Sequence, residues 1–167
     1  MNKYFKNQVK YKIMKTSSLI KTGAGFVILL IIAIQFFDTD KNISATPSEN
    51  AIEKHYQVSS HVQSLLKTSC YDCHCNNTAY PWYNHIQLVK WWLADHVNSG
   101  KRHLNFDEFN TYTKERKLKK LDEIVETVKE GEMPLSSYTI IHHNAKLSST
   151  DKSEIEKWVV QVKKEIN

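Results

Sequence analysis

The sequence contains the stretch Cys70-Tyr71-Asp72-Cys73-His74, a Cys-x-x-Cys-His motif that is typical of c-type haem attachment. Two thiols three residues apart can each bond one vinyl group of the same porphyrin. The histidine that follows is then placed under the iron, where an imidazole nitrogen can serve as the proximal ligand. Because covalent bonds hold the cofactor, a small domain keeps its haem without a deep pocket. The motif therefore predicts one covalently attached haem c, bound through Cys70, Cys73 and His74.

The same cysteines leave other interpretations open. All three cysteines of the chain, Cys70, Cys73 and Cys75, lie within six residues, which argues against disulfides that join distant loops. A local Cys70–Cys73 disulfide is one alternative. A zinc site of three cysteines and a histidine is another, although the spacing suits structural zinc poorly. In the haem interpretation Cys75 is left over, either as an incidental substitution or as a reactive thiol.

The sixth iron position has one methionine candidate in the domain. Met133 lies in the stretch 131–135, Gly-Glu-Met-Pro-Leu, which follows a predicted helix. Methionine paired with histidine is frequent in cytochromes c and raises the reduction potential. We predict Met133 as this ligand, with a core-filling methionine as the alternative. A histidine or an open position competes with it; the candidates are His85, His96, His103, His142 and His143.

The positive charge of the chain is concentrated at its N-terminus. The formal net charge is +5, and residues 1–22 contain six lysines and no acidic residue. The remaining residues carry 17 basic and 18 acidic side chains, a net charge of −1. A nucleic-acid-binding protein needs a basic face on its folded domain, so we do not expect that function.

An uncharged apolar stretch follows the basic tail at residues 23–37. It is short for a membrane span of about 20 residues, but extension back to Ser18 reaches that length with Lys21 near the interface. We expect an uncleaved transmembrane anchor. A cleaved signal peptide is the alternative, for which the stretch 44–46 is a poor cleavage site. The lysines predict a cytoplasmic tail, hence a single-pass protein of the inner (cytoplasmic) membrane with its C-terminal domain in the periplasm.

The exported part divides into a linker and one domain. Residues 38–50 are polar and turn-forming, as in a linker, and residues 51–167 are long enough for one core. Apolar residues in the domain recur at three- and four-residue spacing, which predicts helices, and no segment shows sustained strand alternation. We expect an all-α domain of four or five helices, preceded by a single N-terminal transmembrane helix.

Short motifs mark the expected helix boundaries. Asn105 and Glu108 resemble a capping box at the start of a long helix, and Gly100 is expected to end the helix before it. Gly131 suits the C-terminus of the long helix. The stretch 148–151, with Ser at its start and Asp at its end, is expected to open the last helix.

With these features the sequence resembles a known family, the small haem-binding domain proteins, which are membrane-anchored relatives of cytochrome c. The resemblance runs through most of residues 56–160. It is carried by Ser69–His74, Asn76–Tyr83, Trp91–Trp92 with His96, Gly100–Phe106 and Glu132–Leu135. It implies a cytochrome c-like domain with haem bound through Cys70, Cys73 and His74. Similar proteins tend to have serine after the histidine, where this chain has Cys75.

Electron transfer to a protein redox partner is the expected function, so we expect an electron carrier more than an enzyme. Iron held by His74 and Met133 would pass single electrons through the porphyrin edge, and no substrate would need to bind. A haem-based sensor or interaction module with a replaceable sixth ligand is one alternative. A peroxidase-like enzyme is another, with an open iron face and His96 or His103 as the acid–base group. Several residues after the motif are expected either to line the haem or to fix the loop; they are Asn76, Asn77, Tyr80, Trp82 and Tyr83.

Overall fold

The computed structural model describes the backbone of residues 3–167 and the side chains of residues 18–167. The chain forms two separate units, residues 1–39 and residues 40–167. Because side chains are described only from residue 18, most side chains of the predicted basic tail, residues 1–22, lie outside the described residues. The second unit contains the predicted domain together with most of the segment that the sequence assigns to a linker.

The first unit is one helix, α1 (Lys3–Ile34). Its described apolar side chains are exposed, among them Leu19, Ile20, Phe26, Val27, Ile28, Leu29, Leu30, Ile31 and Ile32. Among the described residues, no helix combines the length and the apolar character that a membrane crossing requires.

The second unit consists of helices and the loops that connect them. Its α-helices are α2 (Ile52–His55), α3 (Ser60–Ser69), α4 (Tyr71–His74), α5 (Gln87–His103), α6 (Lys114–Glu130), α7 (Ser136–Thr139) and α8 (Ser149–Ile166). Three 3₁₀ segments connect them, Trp82–His85, Phe106–Thr111 and His143–Ala145. Residues 3–167 contain no strand, only an isolated bridge between Ile43 and Asn77. The all-α prediction is confirmed: α3, α5, α6 and α8 are the longer helices, and the other three are single turns.

Caps explain where the longer helices begin and end. The hydroxyl of Ser59 caps α3, and that of Thr113 caps α6, because each accepts a hydrogen bond from a first-turn N–H that has no partner within the helix. α8 begins after Ser148, as predicted, and Ser148 and Asp151 form a reciprocal capping box there. Gly131 ends α6 in the left-handed region with φ of 79°, where glycine carries no steric cost.

The predicted capping box at Asn105 and Glu108 is wrong. The Asn105 side chain accepts from the N–H of Asp107 and caps the 3₁₀ segment 106–111, while the long helix α6 begins later. Glu108 does not return to the Asn105 backbone. Its carboxylate accepts a hydrogen bond of 3.0 Å from the side chain of Asn76 instead. The hydrogen bond between Asn76 and Glu108, which are far apart in sequence, thus takes the place of the predicted bond between Glu108 and the Asn105 backbone.

One hydrophobic core supports the second unit. α8 packs against both α6 and α3, and the interior is filled by Ile52, Val62, Leu66, Phe106, Phe109, Leu121, Ile155, Trp158, Val159 and Val162. α4 has no fully buried residue of its own, and it lies against α5 and α3. The position of α4 is therefore set by its neighbours.

Part of the predicted linker packs on the loop that follows α4. The side-chain amide of Asn42 donates to the carbonyl of Cys75 at 2.8 Å and to the hydroxyl of Thr78 at 2.9 Å. The backbone N–H of Asn42 donates to the Tyr80 hydroxyl at 2.6 Å, and the ammonium group of Lys101 donates to its side-chain oxygen. These hydrogen bonds fix residue 42 against the folded domain.

Gly100 brings α5 into close contact with α4. The prediction that Gly100 ends its helix is wrong, since α5 continues to His103. A Cβ atom built on Gly100 would lie 2.5 Å from the carbonyl oxygen and 3.1 Å from the Cβ of Cys73. Glycine is required here because only a residue without a side chain lets the two backbones approach so closely.

Replacing Gly100 with alanine is expected to destabilise the domain. The added methyl group overlaps backbone atoms that cannot rotate away, so we expect a loss of about 1–3 kcal/mol in the free energy of unfolding. Urea denaturation followed by circular dichroism measures this loss. Asn98→Ala, at an exposed position of the same helix, is the control and should change stability by less than about 0.5 kcal/mol. Equal stability of the two variants would contradict the close contact.

Candidate functional site

The Cys-x-x-Cys-His motif forms a single helical turn. The N–H groups of Cys73 and His74 donate to the carbonyl of Cys70 at 3.2 and 3.0 Å. Cys70 and Cys73 are half-buried and unpaired, and both line one cavity. Burial raises the pKa of Cys70 to about 12 and that of Cys73 to about 11, so both groups are neutral thiols near pH 7. The turn therefore presents two uncharged thiols to the same space.

The imidazole of His74 is oriented by the end of α5. Its Nδ1 lies 3.0 Å from the carbonyl oxygen of Leu104. Because a carbonyl only accepts, Nδ1 carries the proton and Nε2 keeps a free lone pair. The ring meets Phe106 edge-on, with centroids 6.5 Å apart. Burial lowers the pKa of His74, which favours the neutral imidazole that binds metals.

Met133 lies in the loop between α6 and α7 and lines the same cavity as His74. The backbone N–H groups of Glu132 and Met133 both donate to the carbonyl of Thr127, at 3.0 and 3.1 Å, so the loop folds back over the end of α6. The cavity has a volume of about 40 Å³. Its other lining residues are Ser69, Cys70, Asp72, Cys73, Pro134, Leu135 and Tyr138. Two side chains that can ligate iron, distant in sequence, thus border one narrow space.

A larger apolar cavity adjoins the narrow one. Its volume is about 320 Å³, and it shares Cys73, Leu135 and Tyr138 with the first cavity. The remaining walls are Trp82, Tyr83, Val89, Trp92, Leu93, His96, Ser137 and Ile141. The two cavities share these walls and are bordered mainly by apolar and aromatic side chains, a lining of the kind that binds a hydrophobic cofactor.

The comparison with protein families agrees with this geometry. The family described as the haem-binding domain matches residues 29–161, which is most of the chain. The protein belongs to the haem-binding domain family. Searches of curated proteins and of solved structures gave no match. Haem is accordingly the cofactor of this haem-binding protein.

The residues at the site fit a haem. Two unpaired thiols lie one helical turn apart and next to an imidazole whose Nε2 is available. The hydrogen bond from this imidazole to Leu104 has the form found at metal-bound histidines, where the second ring nitrogen donates to a carbonyl. Cys70, Cys73, His74 and Met133 remain the predicted binding residues, and all four line the narrow cavity.

The alternatives for the three cysteines find little support in this geometry. Cys70 and Cys73 are not joined in a disulfide. Among the residues described with side chains, no group of three or more histidine, cysteine, aspartate or glutamate residues could hold a metal ion. The described side chains thus do not assemble the zinc-ligand cluster that the cysteine spacing left open.

The competing histidines occupy different places. His96 lines the larger cavity, and its Nδ1 lies 2.8 Å from the Trp92 carbonyl. His103 lines a third cavity, which it shares with Met133. His85 and His143 are exposed. None of the four lines the narrow cavity with His74, and neither does His142, whose Nε2 is 2.7 Å from the hydroxyl of Tyr83.

The residues after the motif divide into two groups. Asn76 and Asn77 fix the loop: the Asn76 side chain bonds Asn105 and Glu108, and the Asn77 side chain accepts from the N–H of Ser44. Tyr80 belongs with them through its hydrogen bond from the backbone of residue 42. Trp82 and Tyr83 instead line the larger cavity.

Sequence reasoning missed the residues that position the site. Leu104 supplies the acceptor for His74, Gly100 supports Cys73, and Asp72 accepts a 2.8 Å hydrogen bond from Tyr138. A signal for the first two was present, because the stretch 100–106 is one of those that carry the family resemblance. Tyr138 had no such signal, since its partner lies 66 residues away.

Cys75 faces away from both cavities. It adopts an extended backbone conformation after α4, and only 4% of its surface is exposed. Its side chain belongs to the hydrophobic core with residues such as Phe106 and Leu121. Burial also raises the pKa of its thiol. The structure therefore separates this third thiol from the two that border the narrow cavity.

Cys75 is expected to be the least reactive cysteine of the haem-free folded protein. Thiolates are the reacting species, and burial limits both their formation and access of the reagent. Brief treatment with iodoacetamide, followed by peptide fragmentation in a mass spectrometer, should show modification of Cys73 first and of Cys75 last. The same treatment in urea is the control and should modify all three equally. Early modification of Cys75 without urea would contradict its burial.

Proposed function

We propose that this haem-binding protein is a single-electron carrier with one covalently attached haem c. In this proposal Cys70 and Cys73 would form the thioether bonds, and His74 and Met133 would ligate the iron. The observation that carries the proposal is that all four side chains line one narrow cavity although Met133 is 59 residues from His74. The S–H bond of each thiol adds across one vinyl C=C bond, so attachment consumes no oxidant.

The surroundings support electron transfer over substrate chemistry. The haem supplies a one-electron couple of its iron, and the protein controls ligation, burial and hydrogen bonding. The Leu104 carbonyl holds the His74 ring in a fixed orientation, and the short loop after α6 carries Met133. With both residues as ligands, the iron would have no vacant position for a substrate, which favours electron transfer.

We further propose that residues 18–37 anchor the protein in the inner membrane and that the haem domain is periplasmic. This proposal is supported by the six lysines that precede the apolar stretch and by the exposed apolar side chains of α1. Export also suits a protein whose haem is attached by thioether bonds, because attachment of this kind takes place outside the cytoplasm.

Removal of the first 39 residues is expected to convert a membrane-bound protein into a soluble one. The deletion ends at the boundary between the two units, so the haem domain should keep its fold. For a periplasmic test, a cleavable signal peptide replaces the deleted segment. The full chain should sediment with membranes and resist extraction with alkaline carbonate, whereas the shortened chain stays in the supernatant. Carbonate release of the full chain would disprove the anchor.

Replacement of Met133 with alanine is expected to change the coordination of the iron. The wild-type protein should show a six-coordinate, low-spin spectrum with a methionine–iron band, and Met133→Ala should lose that band. Loss of methionine ligation should also lower the reduction potential. Absorption spectra of both oxidation states and a redox titration measure these changes.

The controls for this experiment separate the alternatives. Met14→Ala, in the predicted cytoplasmic tail, should leave the spectrum unchanged. Haem staining after denaturing electrophoresis tests the thioether bonds, because haem that is not covalently bound is lost. A high-spin wild-type spectrum that shifts with carbon monoxide would favour the sensor or peroxidase-like function and would disprove electron transfer through a Met133-ligated iron.

A further inference from the structure

A hydrogen bond joins the motif to the segment that follows Met133. The hydroxyl of Tyr138 donates to Oδ2 of Asp72 at 2.8 Å and lies 3.3 Å from the carbonyl of Thr68. Asp72 occupies one of the two variable positions between the motif cysteines. Tyr138 lies in α7, five residues after Met133. The Asp72–Tyr138 hydrogen bond thus links the two parts of the chain that carry the proposed iron ligands.

The connection from Tyr138 to Met133 is short and ordered. The N–H groups of Tyr138 and Thr139 both donate to the carbonyl of Leu135, at 3.0 Å each, which closes the turn. Met133 is held at its other side by the carbonyl of Thr127. Few backbone torsions between the two residues are free to change. A displacement of Tyr138 is therefore expected to shift Met133 as well.

Both partners are fixed by further contacts. The second carboxylate oxygen of Asp72 accepts from the N–H of Ala79 at 3.1 Å. The Tyr138 ring stacks on His142 with centroids 4.2 Å apart and planes 13° apart, and His142 in turn bonds Tyr83. Tyr138 also lines both the narrow and the larger cavity. Stacking, the bond to Asp72 and the longer contact to Thr68 together restrict the position of the Tyr138 side chain.

We propose that Tyr138 and Asp72 are positioning residues that hold Met133 on the iron and so control access of external ligands to the sixth position. This inference rests on the proposed function, because it takes Met133 as the axial ligand. The hydrogen bond between Asp72 in the motif and Tyr138 after Met133 stabilises the arrangement in which the loop that carries Met133 lies against the motif. Without it, the loop opens more readily and an external ligand competes better with the methionine sulfur.

Imidazole binding to the oxidised holoprotein tests this role. Tyr138→Phe removes only the hydroxyl and keeps the ring that stacks on His142. We expect the apparent affinity for imidazole to rise about fivefold, the change that corresponds to the loss of one ordinary hydrogen bond. Absorbance titration measures it, with the methionine–iron band as the signal. Tyr71→Phe is the matched control, since the Tyr71 hydroxyl bonds Glu53 instead of the methionine loop.

A double-mutant cycle shows whether the two residues act through each other. Asp72→Ala also loses the contact to Ala79, but this loss is common to both arms of the cycle and cancels. If the two residues act through each other, Tyr138→Phe should raise imidazole affinity clearly less in the Asp72→Ala background than in the wild type, because there the hydroxyl has only its longer contact to the Thr68 carbonyl to lose. Additive effects, or an affinity for Tyr138→Phe equal to that of Tyr71→Phe, would overturn the proposal.

The two proposals fail in different ways. If the wild-type protein shows the methionine–iron band but Tyr138→Phe does not change imidazole affinity, only the positioning role is wrong. If the wild-type protein lacks that band, or Met133→Ala leaves it intact, Met133 is not the ligand and both proposals are wrong. Folding of each variant is checked by circular dichroism before titration.

Discussion

The close contact between the backbones of Cys73 and Gly100 is the constraint on which the rest of the site depends. The motif occupies a single helical turn with no fully buried residue, so it cannot hold its own position. α5 supplies the missing support at Gly100, and four residues later the same helix end presents the carbonyl that orients His74. One helix thus sets both the place of the thiols and the direction of the imidazole.

Around this contact, apolar side chains mainly line the cavities, whereas polar side chains mainly fix the loop after the motif. The cavities beside the motif are lined mainly by apolar and aromatic side chains, which exclude water from a bound cofactor. A network of hydrogen bonds fixes the loop after the motif, where Asn76 joins Asn105 and Glu108 and its backbone N–H donates to Asp107 at 2.6 Å. A low-polarity environment on one side and a hydrogen-bonded loop on the other suit a protein that must shield a bound haem and hold it in one orientation.

Much of this arrangement could be predicted from the sequence, and the limits have a physical cause. The all-α class, the motif, the start of α8 at Ser148 and the glycine end of α6 depend on local periodicity and caps, which a linear reading detects. The roles predicted for Asn105 and Gly100 were wrong because both depend on tertiary contacts. The Glu108 carboxylate accepts a hydrogen bond from Asn76 and does not cap the helix, and the backbone of Cys73 lies so close that residue 100 can have no side chain. Likewise, the sequence separation of Asp72 and Tyr138 gives no indication of their hydrogen bond. Local sequence preferences predicted the helices, whereas the roles of individual residues depended on long-range contacts that the sequence pattern does not reveal.

The docking of residue 42 has a practical consequence for work on the isolated domain. The boundary suggested by composition, at residue 51, would remove Asn42 and leave the carbonyl of Cys75 and the hydroxyls of Thr78 and Tyr80 without their bonds to it. These groups belong to the loop directly after the cofactor motif. A shortened chain that begins at residue 40 keeps this segment and is the appropriate starting point for crystallisation and spectroscopy.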